Sequence, residues 1–165
     1  MQFGAQLLNY FTTWEESLPA IKTIDTGPWS SLWFSDHFLP PYPSANLDSE
    51  TALEGWSLIT ATAAVTKRIQ LGILVSGNTY RNPALLAKMA ATVDQISSGR
   101  LILGIGASWY EREHEAFGWE FPGVKERSDR LEEAVELIKM LFTADGPIDY
   151  NGQYYKLKQA YFSPS

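Results

Sequence analysis

Four short apolar runs recur along the first part of the chain: Phe3 to Leu7, Ser31 to Ser35, Leu71 to Val75 and Leu101 to Ile105. Each has the length and the apolar content of a buried strand. Roughly 28 to 40 residues separate one run from the next, which is what a strand followed by a crossover helix requires. The intervening stretches, about Trp14 to Thr26, Thr51 to Thr66 and Pro83 to Ser97, alternate apolar and polar positions with helical spacing. Pro83 suits a first helical turn and Gly99 a helix stop. The order is β-α-β-α-β-α-β, an α/β protein with parallel strands.

A fourth helix is predicted over about Val124 to Phe142, with Leu131, Val135, Ile138 and Phe142 on one stripe and Glu126, Arg130, Glu133 and Lys139 open to water. Beyond it, Asn151-Gly152 stands between two aromatic, β-prone segments, a strong hairpin signal. The sequence then ends at Ser163-Pro164-Ser165 without the strand that should follow a helix in a parallel sheet. With no repeats, low-complexity tracts or linker, residues 1–165 read as a single, incomplete domain.

Composition narrows the chemistry. With no cysteine, disulfides, thiolate metal sites and cysteine nucleophiles are excluded. Nineteen acidic against thirteen basic residues give a formal charge of −6, which opposes general attraction to nucleic acid or anionic membranes. The start, MQFGAQLLNYF, is not patterned as an export signal and no run of eighteen apolar residues occurs, so the expected location is the cytoplasm.

The polar and glycine-rich residues cluster where the third and fourth strands end, at Ser76 to Asn82 and Gly104 to Trp109, the end at which parallel sheets and barrels bind ligands. Asp36-His37 follows the second strand in the same way. A histidine there can exchange a proton near neutral pH, or it can be a loop residue that bonds the backbone. Gly77-Asn78 can take left-handed backbone angles. The turn Gly104-Ile105-Gly106-Ala107-Ser108-Trp109 lets a ligand approach the backbone and precedes a helix start, which would favour phosphate. It is not a dinucleotide fingerprint, because Trp109 stands where the third glycine belongs. His114-Glu115 lacks the second histidine of a zinc-protease motif, so His114 is expected on a helix surface and no metal site is expected. Glu132 and Glu133 read as a solvated helix face, and Trp14, Trp29, Trp33 and Trp56 as packing residues. Arg81 or Lys88 could meet a phosphate, although Lys88, in mid-helix, is expected to face water.

Three segments together, SLWFSDHF (31–38), LGILVSGNTYRNPALLAKMAATVDQISSGRLILGIGASW (71–109) and ERSDRLEEAVELIKML (126–141), followed by NGQYY, resemble the luciferase-like monooxygenases, and among them the oxidoreductases that use the deazaflavin coenzyme F420. The resemblance implies a (β/α)8 barrel of roughly twice this length, of which this chain would be the N-terminal half: four parallel strands with helices, ending in a β-hairpin excursion before strand five. It assigns His37 to proton transfer at the reactive face of the coenzyme and Asp36 to holding it. Leu74 and Val75, joined by a cis peptide in several relatives, would back the ring beside Gly77. Gly106, Ala107, Ser108 and Trp109, with Tyr110 and Glu113 nearby, would take the ribityl and phosphate end. The implied activity is hydride transfer between an organic small molecule and C5 of F420. FMN serving an oxygen-inserting monooxygenase is the alternative, and a non-catalytic half barrel that dimerises is a reading of another class. The resemblance leaves a homodimer open.

Overall fold

The structure is a computed structural model that describes residues 1–41 and 51–164. In chain order its elements are β1 (Gly4–Gln6), α1 (Trp14–Thr26), β2 (Ser31–Phe34), α2 (Gly55–Val65), β3 (Gln70–Ile73), β4 (Ser76–Gly77), α3 (Pro83–Ser97), β5 (Leu101–Ile102), β6 (Ile105–Gly106), α4 (Glu111–Phe117), α5 (Val124–Thr143), β7 (Ile148–Asn151) and β8 (Lys156–Ala160). They fall into two compact units. The first comprises Met1–Ser76 and Val93–Gly104, the second Gly77–Thr92 and Ile105–Ser165.

The first unit is built on a parallel sheet in the order β1-β2-β3-β5, with Leu32 opposite Leu71 and Trp33 opposite Gly72. The period-two alternation of strands decides its two faces. Leu32, Phe34, Leu71 and Ile73 are buried, as are Ile21 of α1 and Trp56, Ile59 and Ala63 of α2, the helix packed on β3. On the other face the Trp33 indole lies over Gly72, in the space that a Cβ on that glycine would need, and donates to Ser31 Oγ at 2.8 Å.

Local signals explain the element ends. Thr13 caps α1 with Glu16 in a capping box. The α2 helix starts at Gly55, later than the pattern suggests, because the Glu54 carboxylate accepts the amides of Trp56 and Ser57. Gly99, at φ 81°, ends α3 as its position in the sequence implies. Asp25 at the end of α1 accepts the amides of Lys67, Arg68 and Ile69. Arg100 draws α2 to the start of β5, donating to the carbonyls of Ala63, Thr66 and Ile69 and to Thr66 Oγ1 at 2.9–3.0 Å.

In the second unit, α5 fully buries only Ile138 of the expected stripe Leu131, Val135, Ile138 and Phe142. Arg127, Ala134, Leu137, Ile138 and Leu141 are buried, and Leu131 and Val135 only partly so. Arg127 is admitted by stacking its guanidinium 3.9 Å over the Phe121 ring. Glu133 is not merely solvated: its carboxylate accepts the amides of Gln153, Tyr154 and Tyr155, holding the turn between the antiparallel β7 and β8. Phe142 meets Phe162 edge to face at 5.5 Å, while Lys88 donates to the Ser163 carbonyl instead of extending into water. Trp56 is fully buried as expected, but Trp29 is 37% exposed.

Candidate functional site

Each unit carries its own group of candidate residues at the ends of its strands. In the first, Asp36 and His37 follow β2. Asp36 is 3% exposed, while His37 is half-buried. Tyr10 lies beside the imidazole, ring centres 6.4 Å apart. Its hydroxyl bonds Ser35 Oγ; Ser35 donates to Asn9 Oδ1, and Asn9 Nδ2 donates to the Leu53 carbonyl at 2.7 Å. Because Asn9 spends its amide protons on Leu53, its oxygen must accept, so Ser35 donates to it and the Tyr10 hydroxyl donates to Ser35.

After β3 the chain presents Leu74 and Val75, 51% and 43% exposed, joined by a cis peptide. They follow a strand whose own residues, Leu71 and Ile73, are buried. The Leu74 amide stays bound to the Phe34 carbonyl at 2.8 Å, and that of Ser76 to Gly104 at 2.9 Å. Gly104 must lack a side chain, since a Cβ there would lie 2.8 Å from the Ile73 carbonyl and 3.0 Å from Val75 Cγ1. Trp56 Nε1 fixes Ser76 Oγ from below at 3.0 Å.

In the second unit the loop after Gly77 meets the turn after β6. The Asn78 amide donates to the Gly106 carbonyl at 2.9 Å, and Asn78 Nδ2 to the Tyr155 hydroxyl at 3.0 Å. Burial pushes the Tyr155 phenol up, only partly offset by that bond from Asn78 and by Arg130, so it stays protonated at neutral pH. Ser108 adopts φ 64°, unusual for a residue with a side chain, and its Oγ accepts from Thr79 Oγ1 at 2.7 Å. Trp109 is exposed and stacks on Tyr110 at 5.2 Å. The helix that follows is short and has Glu111 and Glu113 in its first turn, so its start lends no support to the expectation of a phosphate held by a helix end.

His114, expected at the surface, is fully buried. Its Nε2 lies 2.7 Å from Thr79 Oγ1, and its Nδ1 2.9 Å from the Tyr110 carbonyl. Tyr80 stacks on the ring at 4.9 Å, and the tilted Phe121 ring lies 4.6 Å from it. Glu113 is buried beside it and accepts from the Tyr80 hydroxyl. The seven residues of α4 are too few to show which side faces inward. The available signal is the aromatic run Phe117 to Phe121, two members of which, Trp119 and Phe121, lie against the ring. Among the described residues no group of His, Cys, Asp and Glu could hold a metal ion, and no helix is long and apolar enough to cross a membrane.

Comparison with known proteins gives this geometry a context. The sequence profile described as luciferase-like monooxygenase matches residues 2–165. An F420-dependent glucose-6-phosphate dehydrogenase of Amycolatopsis mediterranei (strain U-32) is 41% identical over 144 residues, 86% of this chain and 41% of that protein. The protein of the same name from Nocardia farcinica (strain IFM 10152) is 42% identical over 129 residues, 76% of this chain and 37% of its own length. Among solved structures, an F420-dependent secondary alcohol dehydrogenase in complex with an F420-acetone adduct superposes with a TM-score of 0.87 at 27% identity, covering 98% of this chain and 48% of that one. The oxygenating constituent of 3,6-diketocamphane monooxygenase from Pseudomonas putida, in complex with FMN, shares the fold, with a TM-score of 0.75 at 22% identity over 98% of this chain and 44% of that one. This chain therefore spans less than half the length of these relatives.

Proposed function

This chain belongs to the luciferase-like monooxygenase family, and on that premise we propose that it serves an oxidoreductase that moves a hydride between an organic small molecule and C5 of coenzyme F420. The observation that carries the reading is the 41% identity to an F420-dependent dehydrogenase across most of the chain. Its parallel strands correspond to the first four of a (β/α)8 barrel, the architecture of the structural relatives.

The residues fit such a coenzyme. Leu74 and Val75 offer an exposed apolar surface next to a tightly bonded backbone, suited to the flat face of a deazaflavin ring. When bound, the deazaflavin supplies a two-electron hydride acceptor that does not readily pass single electrons to oxygen. His37, half-buried, takes the proton that leaves an alcohol or hemiacetal oxygen as its carbon loses hydride. Asp36 is assigned to holding the coenzyme, Gly77 to the ring side with Leu74 and Val75, and Gly106, Ala107, Ser108 and Trp109 to the ribityl and phosphate end. An alcohol-bearing small molecule as substrate is supported by the relatives, an F420-dependent glucose-6-phosphate dehydrogenase and an F420-dependent secondary alcohol dehydrogenase. A cytoplasmic location without nucleic-acid or membrane partners belongs to the same reading, as does the homodimer.

A structural relative in complex with FMN keeps a second reading in view, a monooxygenase using reduced flavin. Separate titrations of the purified chain with F420 and FMN, followed by fluorescence while its mass in solution is measured, decide between them. Saturable F420 binding, with His37→Ala lowering turnover by about a hundredfold or more but sparing affinity, is the expected result. Preference for FMN transfers the chain to the monooxygenases. A folded dimer that ignores both makes it a non-catalytic half barrel.

A further inference from the structure

Two polar side chains of the second unit, Asn78 and Tyr155, hold more hydrogen-bonding capacity than the fold uses. Asn78 is 4% exposed, and its Nδ2 donates to the Tyr155 hydroxyl at 3.0 Å. Among the described residues nothing donates to the buried Asn78 Oδ1, and nothing accepts the Tyr155 O–H. Burial keeps that phenol protonated at neutral pH. Turning the carboxamide over changes which atoms are spare but not their kind: the Tyr155 O–H then satisfies Oδ1 and leaves the Nδ2 protons and a phenol lone pair. One donor and one acceptor remain in either orientation. The pair is completed by a group that both donates and accepts, as a hydroxyl does. An ionised phosphate oxygen only accepts, so it would satisfy the phenol and leave Oδ1 bare.

The pair also stands against a turn already assigned to the coenzyme. The Asn78 amide donates to the Gly106 carbonyl at 2.9 Å, joining this loop to the turn at Gly106–Trp109. Tyr155 is delivered by the turn between β7 and β8, where the amides of Gln153, Tyr154 and Tyr155 all fall on the Glu133 carboxylate of α5. Gly152 permits that approach, since a Cβ there would overlap the carboxylate. We propose that Asn78 and Tyr155 are further coenzyme-binding residues that together take a hydroxyl of the ribityl chain, the phenol donating to it and Oδ1 accepting from it. This rests on the reading that the turn at Gly106–Trp109 takes the ribityl and phosphate end. Oδ1 is screened from water in the free chain, so an arriving hydroxyl engages the phenol first and the carboxamide turns to meet it. An alcohol substrate carries the same chemistry, and the bond from Asn78 to Gly106 is what favours the ribityl chain.

Fluorescence titration of the purified chain with F420, with the ribityl deazaflavin lacking its phosphate, and with the 10-methyl deazaflavin lacking the ribityl chain as well tests the pair. The double variant Asn78→Leu/Tyr155→Phe removes both polar groups and keeps their shapes, so its urea midpoint should match wild type. Its affinity for F420 and for the ribityl deazaflavin should fall about tenfold or more, while that for the 10-methyl deazaflavin stays the same. Tyr155→Phe alone keeps the ring and the turn, should lose about threefold, and guards against a double variant that does not fold. A purely structural pair would give lowered stability with unchanged affinity, which overturns the proposal and leaves the coenzyme reading intact. An equal loss for the 10-methyl deazaflavin overturns the ribityl assignment. Unchanged F420 affinity with a raised KM for a secondary alcohol hands the pair to the substrate and overturns it too. If the wild-type chain binds none of the three ligands, the coenzyme reading falls and this role of the pair falls with it.

Discussion

Gly77 leaves open the space into which Ser108 turns its hydroxyl: a Cβ at residue 77 would stand 2.6 Å from Ser108 Oγ and would also strike the Tyr80 ring. Neither neighbour is free to retreat. Ser108 is bound to Thr79, and Tyr80 is stacked on His114 with its hydroxyl on Glu113.

Gly77→Ala is accordingly expected to cost about 1–3 kcal/mol in urea denaturation and to weaken F420 binding with it. Gly123→Ala, where nothing lies within 4 Å of the added carbon, is the control and should change stability by less than about 1 kcal/mol. Equal behaviour of the two variants would remove the steric role of Gly77.

Arg100→Lys retains the charge but not the fork. One ammonium cannot reach the carbonyls of Ala63, Thr66 and Ile69 as well as Thr66 Oγ1, and acceptors are left without donors. The expected loss is about 2 kcal/mol, measured by chemical denaturation. A variant as stable as wild type would show that water replaces the guanidinium without cost.

Asp25 ties stability to acid. Burial raises its carboxyl, but the amides of Ile69, Arg68 and Lys67 and the charge of Arg100 outweigh this and hold it below the ordinary carboxylate range. Its contribution is therefore complete above the unfolded value of about 3.9 and is lost as pH falls through the lower folded value. Asp25→Asn should be less stable at pH 7 and should show a shallower fall between about pH 4 and pH 2. Parallel pH profiles for the two proteins would dissociate Asp25 from the acid transition.

The sequence discloses the four parallel strands because each lies in a short apolar run, and α3 because Pro83 and Gly99 mark both its ends. It discloses less where an interaction is not local. The inward stripe of α5 is displaced because Arg127 is buried through a stack on Phe121, and hydrophobicity alone places arginine outside. Glu133 finds its partners twenty residues further on, in a turn whose amides leave no mark on composition. The strand-end positions Asp36, His37, Leu74 and Ser108 follow from topology, whereas Thr79 and His114 owe their meeting to a left-handed serine and a seven-residue helix, neither of which has a periodic signature.

Trp33 and Gly72 stand opposite each other in register, and the indole occupies the volume that any side chain at residue 72 would claim. The two positions are one locus of selection. A substitution at 72 can become fixed only after the ring at 33 has shrunk, so across relatives the pair should vary jointly or stay unchanged, and redesign of this face of the sheet has to alter both codons in the same step.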